Sequence, residues 1–158
     1  MSAYLTIKWL HILSSVLLVG TGFGSAYYMF FANRSGSVAV QAEVARLVVR
    51  ADWWFTTPTV VIQLASGLLL AHLGGWPLTT PWLLLSLLLF FFAGACWLPV
   101  VWLQIDMARM ARQAADAGTA LPPRYRQRQV WWERLGYPAF LAMLAVYYLM
   151  VAKPTFEF

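Results

Sequence analysis

Four long apolar segments are the feature of this chain that most constrains its fold. They cover roughly Tyr4–Ala32, Trp53–Leu73, Pro81–Ile105 and Val130–Ala152. Each is long enough to cross a bilayer as a helix, which takes about 20 apolar residues. Charged residues form only 11% of the chain, well below the roughly 25% of soluble domains. The sequence therefore predicts an all-α protein in which residues 1–158 form one antiparallel bundle of four transmembrane helices in the lipid bilayer.

The positive charges predict how this bundle is oriented. Nine of the eleven basic residues are arginines in or beside the first and third connections between the spans. The positive-inside rule places both of these connections in the cytoplasm and both termini on the periplasmic side. The expected location is the bacterial inner membrane. Because the arginines lie beside spans, the net charge of +5 does not indicate a nucleic-acid partner.

The connections differ in their expected structure. Gly74–Thr80 is short, which makes spans two and three a hairpin, with Thr80 as the N-cap of span three and Pro81 at its first position. Val38–Arg50 has a moderate amphipathic pattern, which fits either an interfacial helix or an extension of span two. Asp106–Gln129 is polar and contains two prolines. This last segment is predicted to be a loop with a frayed helical start, in which Asp106 pairs with an arginine.

His11 is the main candidate for a functional residue. It lies seven residues into the first span, where an ionisable side chain is costly and commonly functional. On an α-helix it shares a face with small and polar residues, and such faces turn toward the bundle interior. These are Lys8, Ser15, Leu18, Gly22 and Ser25. Two interpretations stay open: a hydrogen bond to another helix, or ligation of a metal or haem iron by the neutral imidazole.

Further candidates surround this histidine. Gly20, Gly22 and Gly24 would let a flat ligand or a neighbouring helix approach the backbone of span one. Gln63 lies on a polar stripe of span two and is expected to bond across the bundle or to a ligand. The whole stripe is Thr59, Gln63, Ser66 and Gly67.

His72 is the candidate second metal ligand. With span one running inward and span two outward, its depth differs from that of His11 by only a turn or two. Its helical phase argues against ligation, because it lies roughly opposite the polar stripe. Met143 and Met150 are further possible axial ligands. The single cysteine, Cys96, excludes an intrachain disulfide, and the spacing of Cys and His predicts no zinc site.

Several short motifs resemble a known family. The Lys-x-Leu-His-Ile pattern at Lys8–Ile12 resembles the first helix of the HemJ-type protoporphyrinogen oxidases and, more loosely, CopD-like membrane domains. The similarity continues in short stretches along most of the chain: Thr57-Pro58, Gly67-Leu68, Trp82-Leu83, Pro138 and Val151-Ala152-Lys153-Pro154. The whole length looks closer still to a family of bacterial four-span proteins known only as predicted integral membrane proteins of unknown function.

The HemJ-type resemblance implies a b-type haem bound by His11. It also shows two departures: Ser86 stands at the position of the family's third-helix lysine, and Leu135–Pro138 replaces an Asn-Glu-Val-Pro-like stretch. Both put porphyrinogen oxidation in doubt, so whether the protein is an enzyme is left open. The resulting expectation is a haem b protein of electron transfer or membrane redox chemistry, with quinone or porphyrin as a partner. The alternatives are a cofactor-free membrane accessory subunit and a copper-handling membrane protein. A homo-oligomer or a larger membrane complex is a further expected association.

Overall fold

The computed structural model describes residues 2–155, and that part of the chain is helical without strands. Its elements are α1 (Ala3–Ala32), α2 (Val38–Ala51), a π-helical segment (Asp52–Thr56), α3 (Thr57–Leu73), α4 (Pro81–Ala117) and α5 (Pro123–Ala152). Four continuous helices are long and apolar enough to cross a membrane: Ala3–Ala32, Val38–Leu73, Pro81–Ala117 and Pro123–Ala152. The predicted all-α bundle of four spans is confirmed. Its orientation stays a prediction, so the two ends are called here the arginine-rich end and the opposite end.

The amphipathic segment proves to be an extension of span two. Ser37 caps it, since its hydroxyl accepts a hydrogen bond from the backbone N–H of Val40. The helix then continues through the π-helical segment into α3, giving 36 residues and a length of about 54 Å. Pro58 follows the π-helical segment, where the wider turn relieves the clash between a proline ring and the carbonyl four residues earlier. A helix this long exceeds the hydrocarbon core, so α2 extends beyond it at the arginine-rich end.

The predicted loop over Asp106–Gln129 is wrong. Helix α4 continues to Ala117 and α5 begins at Pro123, leaving a turn in which Gly118 adopts a φ of 63°. The segment is rich in alanine, the strongest helix former, and the alanines of α4 supply a buried face. Among them, Ala111 is fully buried and Ala114 is 5% exposed. Polarity misled the prediction because the outer face of a helix that projects from the membrane is also polar.

The connection between spans two and three is a short turn, as the sequence predicts for a hairpin. Helix α3 ends at Leu73, Gly75 takes a φ of 68°, and α4 begins at Pro81. Thr80 occupies the N-cap position, but its hydroxyl donates to the carbonyl of Pro77 at 2.7 Å rather than capping the helix.

The bundle consists of two helix pairs, α1 with α3 and α4 with α5, and α2 joins them by packing on α4. This junction forms the apolar cluster of the arginine-rich end, hereafter the basal core. Its buried members are Met29, Ala42, Ala45, Val48, Val100, Leu103, Met107, Ala111, Tyr125 and Trp132.

Beyond the basal core, α1 and α5 meet through long side chains. The rings of Phe23 and Phe140 stack with their centroids 5.2 Å apart. The Tyr147 hydroxyl donates to the carbonyl of Ser15 at 2.9 Å. Since the two helix pairs meet here through side chains rather than by close backbone packing, a space remains between them within the membrane.

Candidate functional site

His11 lies against α3 and is held at both ring nitrogens. Its Nδ1 lies 2.9 Å from Ser66 Oγ and its Nε2 lies 3.0 Å from Gln63 Nε2. The hydroxyl of Ser14 donates to Gln63 Oε1 at 2.6 Å. The expectation that Gln63 bonds across the bundle agrees with this geometry, and the four side chains form one interhelical network.

The hydrogen atoms of this network can be assigned from their partners. Ser66 Oγ donates to the carbonyl of Ile62 at 2.6 Å, so it accepts the hydrogen of His11 Nδ1. Since the Gln63 amide nitrogen can only donate, His11 Nε2 accepts from it. With the Gln63 amide in this orientation, the imidazole is neutral with its hydrogen on Nδ1, and both ring nitrogens have a hydrogen-bond partner.

Gly67 explains how the ring comes so close to α3. A Cβ built at this position would lie 3.1 Å from His11 Cε1, tighter than ordinary van der Waals contact. A close approach to a glycine was expected at α1, and in the structure it occurs at Gly67 of α3. For Gly20, Gly22 and Gly24 of α1, a built Cβ meets nothing within 4 Å.

The other residues singled out from the sequence lie apart from this network. His72 is exposed at the opposite end of α3, as its helical phase indicates. The Ser15 hydroxyl donates to the carbonyl of Ile12, and it is Ser14, one position earlier, that bonds to α3. Ser86 is buried and its hydroxyl donates to the carbonyl of Trp82. Within residues 2–155, no group of three or more His, Cys, Asp or Glu side chains is placed to hold a metal ion.

A second and larger feature is a cavity of about 430 Å³ between the two helix pairs. On α4 its lining extends from Phe90 to Gln104, a distance of about 21 Å along the helix axis. Gly22 and Gly94 line the cavity with backbone atoms alone, and aromatic rings form much of its wall. These rings include Phe23, Tyr27, Phe30, Trp97, Trp132, Tyr137 and Phe140. His11 does not line this cavity.

The cavity reaches the lipid-facing surface between α1 and α5. Four of its lining side chains are more than half exposed: Phe23 at 55%, Tyr27 at 53%, Phe31 at 53% and Tyr137 at 60%. The cavity is therefore open to the exposed apolar surface of the bundle.

Polar side chains gather where the cavity ends at the basal core. Asp52 is 4% exposed and lies in the π-helical segment, a geometry that is frequent at functional sites. The Thr56 hydroxyl donates to its Oδ1 at 2.8 Å. With the Gln104 amide oriented to satisfy both of its neighbours, its nitrogen donates to Asp52 Oδ2 at 2.7 Å and its oxygen accepts from Trp132 Nε1 at 3.3 Å.

Asp52 differs from the other acidic residues because it lacks an ionic partner in the described part of the chain. The other acidic residues within 2–155 each contact an arginine: Glu43, Asp106, Asp116 and Glu133. Asp106, equally buried at 4%, has Arg109, Arg124 and Arg128 within salt-bridge distance, as the sequence predicted. Glu133 also lines the cavity, but Arg34 and Gln129 bind its carboxylate.

Sequence reasoning missed Asp52. Its position directly before Trp53, the expected start of span two, made it look like one more residue of a polar connection. A signal was present, since Asp52 stands four residues before Thr56 and so shares a helical face with it. That pattern becomes informative only when α2 and α3 are recognised as one helix.

Comparison with known proteins places the chain in a family. Residues 5–154 match the family described as predicted integral membrane protein (DUF2269). The chain belongs to the DUF2269 family. Membership agrees with a membrane-spanning fold and with the resemblance of the whole sequence to predicted integral membrane proteins. No curated protein and no solved structure matches the chain, so the comparisons do not support the likeness to HemJ-type or CopD-like proteins.

Proposed function

We propose that this multi-pass membrane protein binds a lipophilic small molecule within the bilayer. The observation that carries the proposal is the aromatic-lined cavity between the two helix pairs, which is open toward lipid and polar at one end. Ligand sites in proteins are mostly apolar cavities of a few hundred cubic ångströms with a few convergent polar groups. The polar end lies where the predicted span two begins, so an amphipathic ligand can keep its head group at the membrane boundary and its apolar body in the hydrocarbon layer.

A cavity-filling substitution tests this function. Gly94 lines the cavity and a Cβ there meets no atom within 4 Å, so Gly94→Leu should place its side chain in the ligand space without a backbone clash. We expect binding of N-phenyl-1-naphthylamine, a neutral apolar fluorophore, to weaken at least about tenfold, or about 1.4 kcal/mol. The measurement is a fluorescence titration of the protein in lipid nanodiscs, with empty nanodiscs as the blank.

The neighbouring residue supplies the matched control. Ala95 is exposed and does not line the cavity, so Ala95→Leu adds apolar volume to the same turn of α4 and should leave the titration unchanged. Equal affinity of the two variants and the wild-type protein would reject the cavity as the binding site.

Haem b ligation by His11, with a role in electron transfer, stays a prediction. The observed geometry does not fit an axial ligand, because Ser66 and Gln63 occupy both ring nitrogens. Iron could bind only if one of these hydrogen bonds were given up. The described residues place no second histidine beside the ring, since His72 is exposed at the end of α3. Quinone or porphyrin as a partner, an oligomer or larger complex, copper handling and the inner-membrane location also stay predictions.

Visible absorption distinguishes the two functions. We expect protein purified from haem-supplemented cells to show no Soret band, and His11→Ala to leave the visible spectrum unchanged. The matched control is His72→Ala, which removes the exposed histidine. A Soret band that His11→Ala abolishes and His72→Ala retains would establish the haem interpretation in its place.

A further inference from the structure

The partners of Asp52 indicate which class of lipophilic molecule the cavity accepts. This inference rests on the proposed binding function. Both carboxylate oxygens receive hydrogen bonds from neutral donors, Thr56 and Gln104. A buried carboxylate without a cation carries a large desolvation cost. Asp106, also 4% exposed, is instead covered by three arginines that pair with its carboxylate.

The surroundings of Asp52 favour a cation supplied by the ligand. The other carboxyl group at this end of the cavity, Glu133, is already paired with Arg34, so Asp52 is the one left without an ionic partner among the described residues. The aromatic rings of the cavity wall add to this preference, because the faces of Trp, Tyr and Phe attract organic cations. Trp132 is notable here, since it lines the cavity and also donates to the amide that binds Asp52.

We propose that the cavity binds an amphipathic organic cation. The cationic group lies against Asp52 and the adjacent aromatic faces, and the apolar body fills the space between the helix pairs. Ionisable groups inside membrane proteins commonly serve as counter-ions to ligands or mark substrate pathways. A neutral occupant, such as a quinone hydrogen-bonded to a protonated Asp52, is the competing interpretation and forms one outcome of the test.

Two ions of matched shape and opposite charge test the inference. Tetraphenylphosphonium and tetraphenylborate are to be titrated by equilibrium dialysis against the full-length protein in nanodiscs of neutral lipid, with empty nanodiscs subtracting partition into lipid. We expect the phosphonium to bind at least about tenfold more tightly than the borate. Asp52→Asn should weaken phosphonium binding by about tenfold or more, and Asp52→Glu should retain most of it.

Asp116→Asn is the charge-matched control. It makes the same change in net charge at a residue outside the cavity lining that pairs with Arg112, so phosphonium binding should stay at the wild-type level. Because asparagine keeps the shape of the side chain, a thermal unfolding scan of Asp52→Asn should remain close to wild type. The preference for phosphonium over borate in the wild-type protein tests the inference even if a variant fails to fold.

The possible failures are distinguishable. If both ions bind the wild-type protein equally and Gly94→Leu weakens both, the cavity binds lipophilic molecules but the cation preference is wrong. The same conclusion follows if Asp52→Asn binds the phosphonium as the wild type does. If Gly94→Leu affects neither these ions nor the neutral fluorophore, the proposed function itself fails.

Discussion

Gly67→Leu should separate α1 from α3 and lower the free energy of unfolding by at least about 3 kcal/mol. A Cβ at this position already lies 3.1 Å from His11 Cε1 and 3.7 Å from its Nδ1, so a full leucine side chain must displace the ring. Overpacking alone costs about 1–3 kcal/mol, and each buried polar group that loses its partner adds about 1–3 kcal/mol. Displacing the ring removes one hydrogen-bond partner from each of Ser66 and Gln63, which keep their bonds to Ile62 and Ser14.

Urea or SDS unfolding of the purified protein, followed by circular dichroism, measures this change. Ala65→Leu is the control, because Ala65 is exposed on the same helix and its substitution should change stability by no more than about 0.5 kcal/mol. A Gly67→Leu variant as stable as Ala65→Leu would show that His11 does not pack on α3 as described.

The polar face of each helix could be predicted from the sequence. The pairs of residues that contact each other between α1 and α3 could not. Because every third or fourth residue returns to the same face, His11 could be assigned to the polar side of α1, and the stripe containing Gln63 and Ser66 to the polar side of α3. The rotation of α1 against α3 is set by packing. For that reason the bonded serine is Ser14, whereas helical spacing favoured Ser15.

The cavity was beyond the reach of sequence analysis for a different reason. A cavity forms where neighbouring helices do not pack closely against each other. Hydropathy shows that each helix is apolar, but it does not show how far apart the helices lie. Gly22 illustrates this point, since its small size predicts equally a close helix contact and an open wall, and the structure gives the open wall. Asp52 was missed because its burial depends on α4 and α5, whose Gln104 and Trp132 are about 50 and 80 residues away in the sequence.

The second large effect is expected from Met107→Ala in the basal core. Met107 has no exposed surface and lies among the side chains that hold α2 against α4. Replacing a buried methionine by alanine costs about 2–5 kcal/mol, because apolar contacts are lost and a cavity remains. We expect a corresponding loss in urea unfolding and faster hydrogen exchange in α2.

Met110→Ala makes the same substitution one turn away, at a residue only partly buried against the same core. It should lower the free energy of unfolding by less than Met107→Ala.

The comparison of these two variants also bears on the binding site. Helix α2 continues directly into the π-helical segment, so the contact between α2 and α4 fixes the position of Asp52 relative to Gln104. Met107→Ala should therefore weaken phosphonium binding although Met107 does not line the cavity, whereas Met110→Ala should leave that binding unchanged. If Met107→Ala destabilised the protein and left phosphonium affinity intact, the position of Asp52 would not depend on the packing of the basal core.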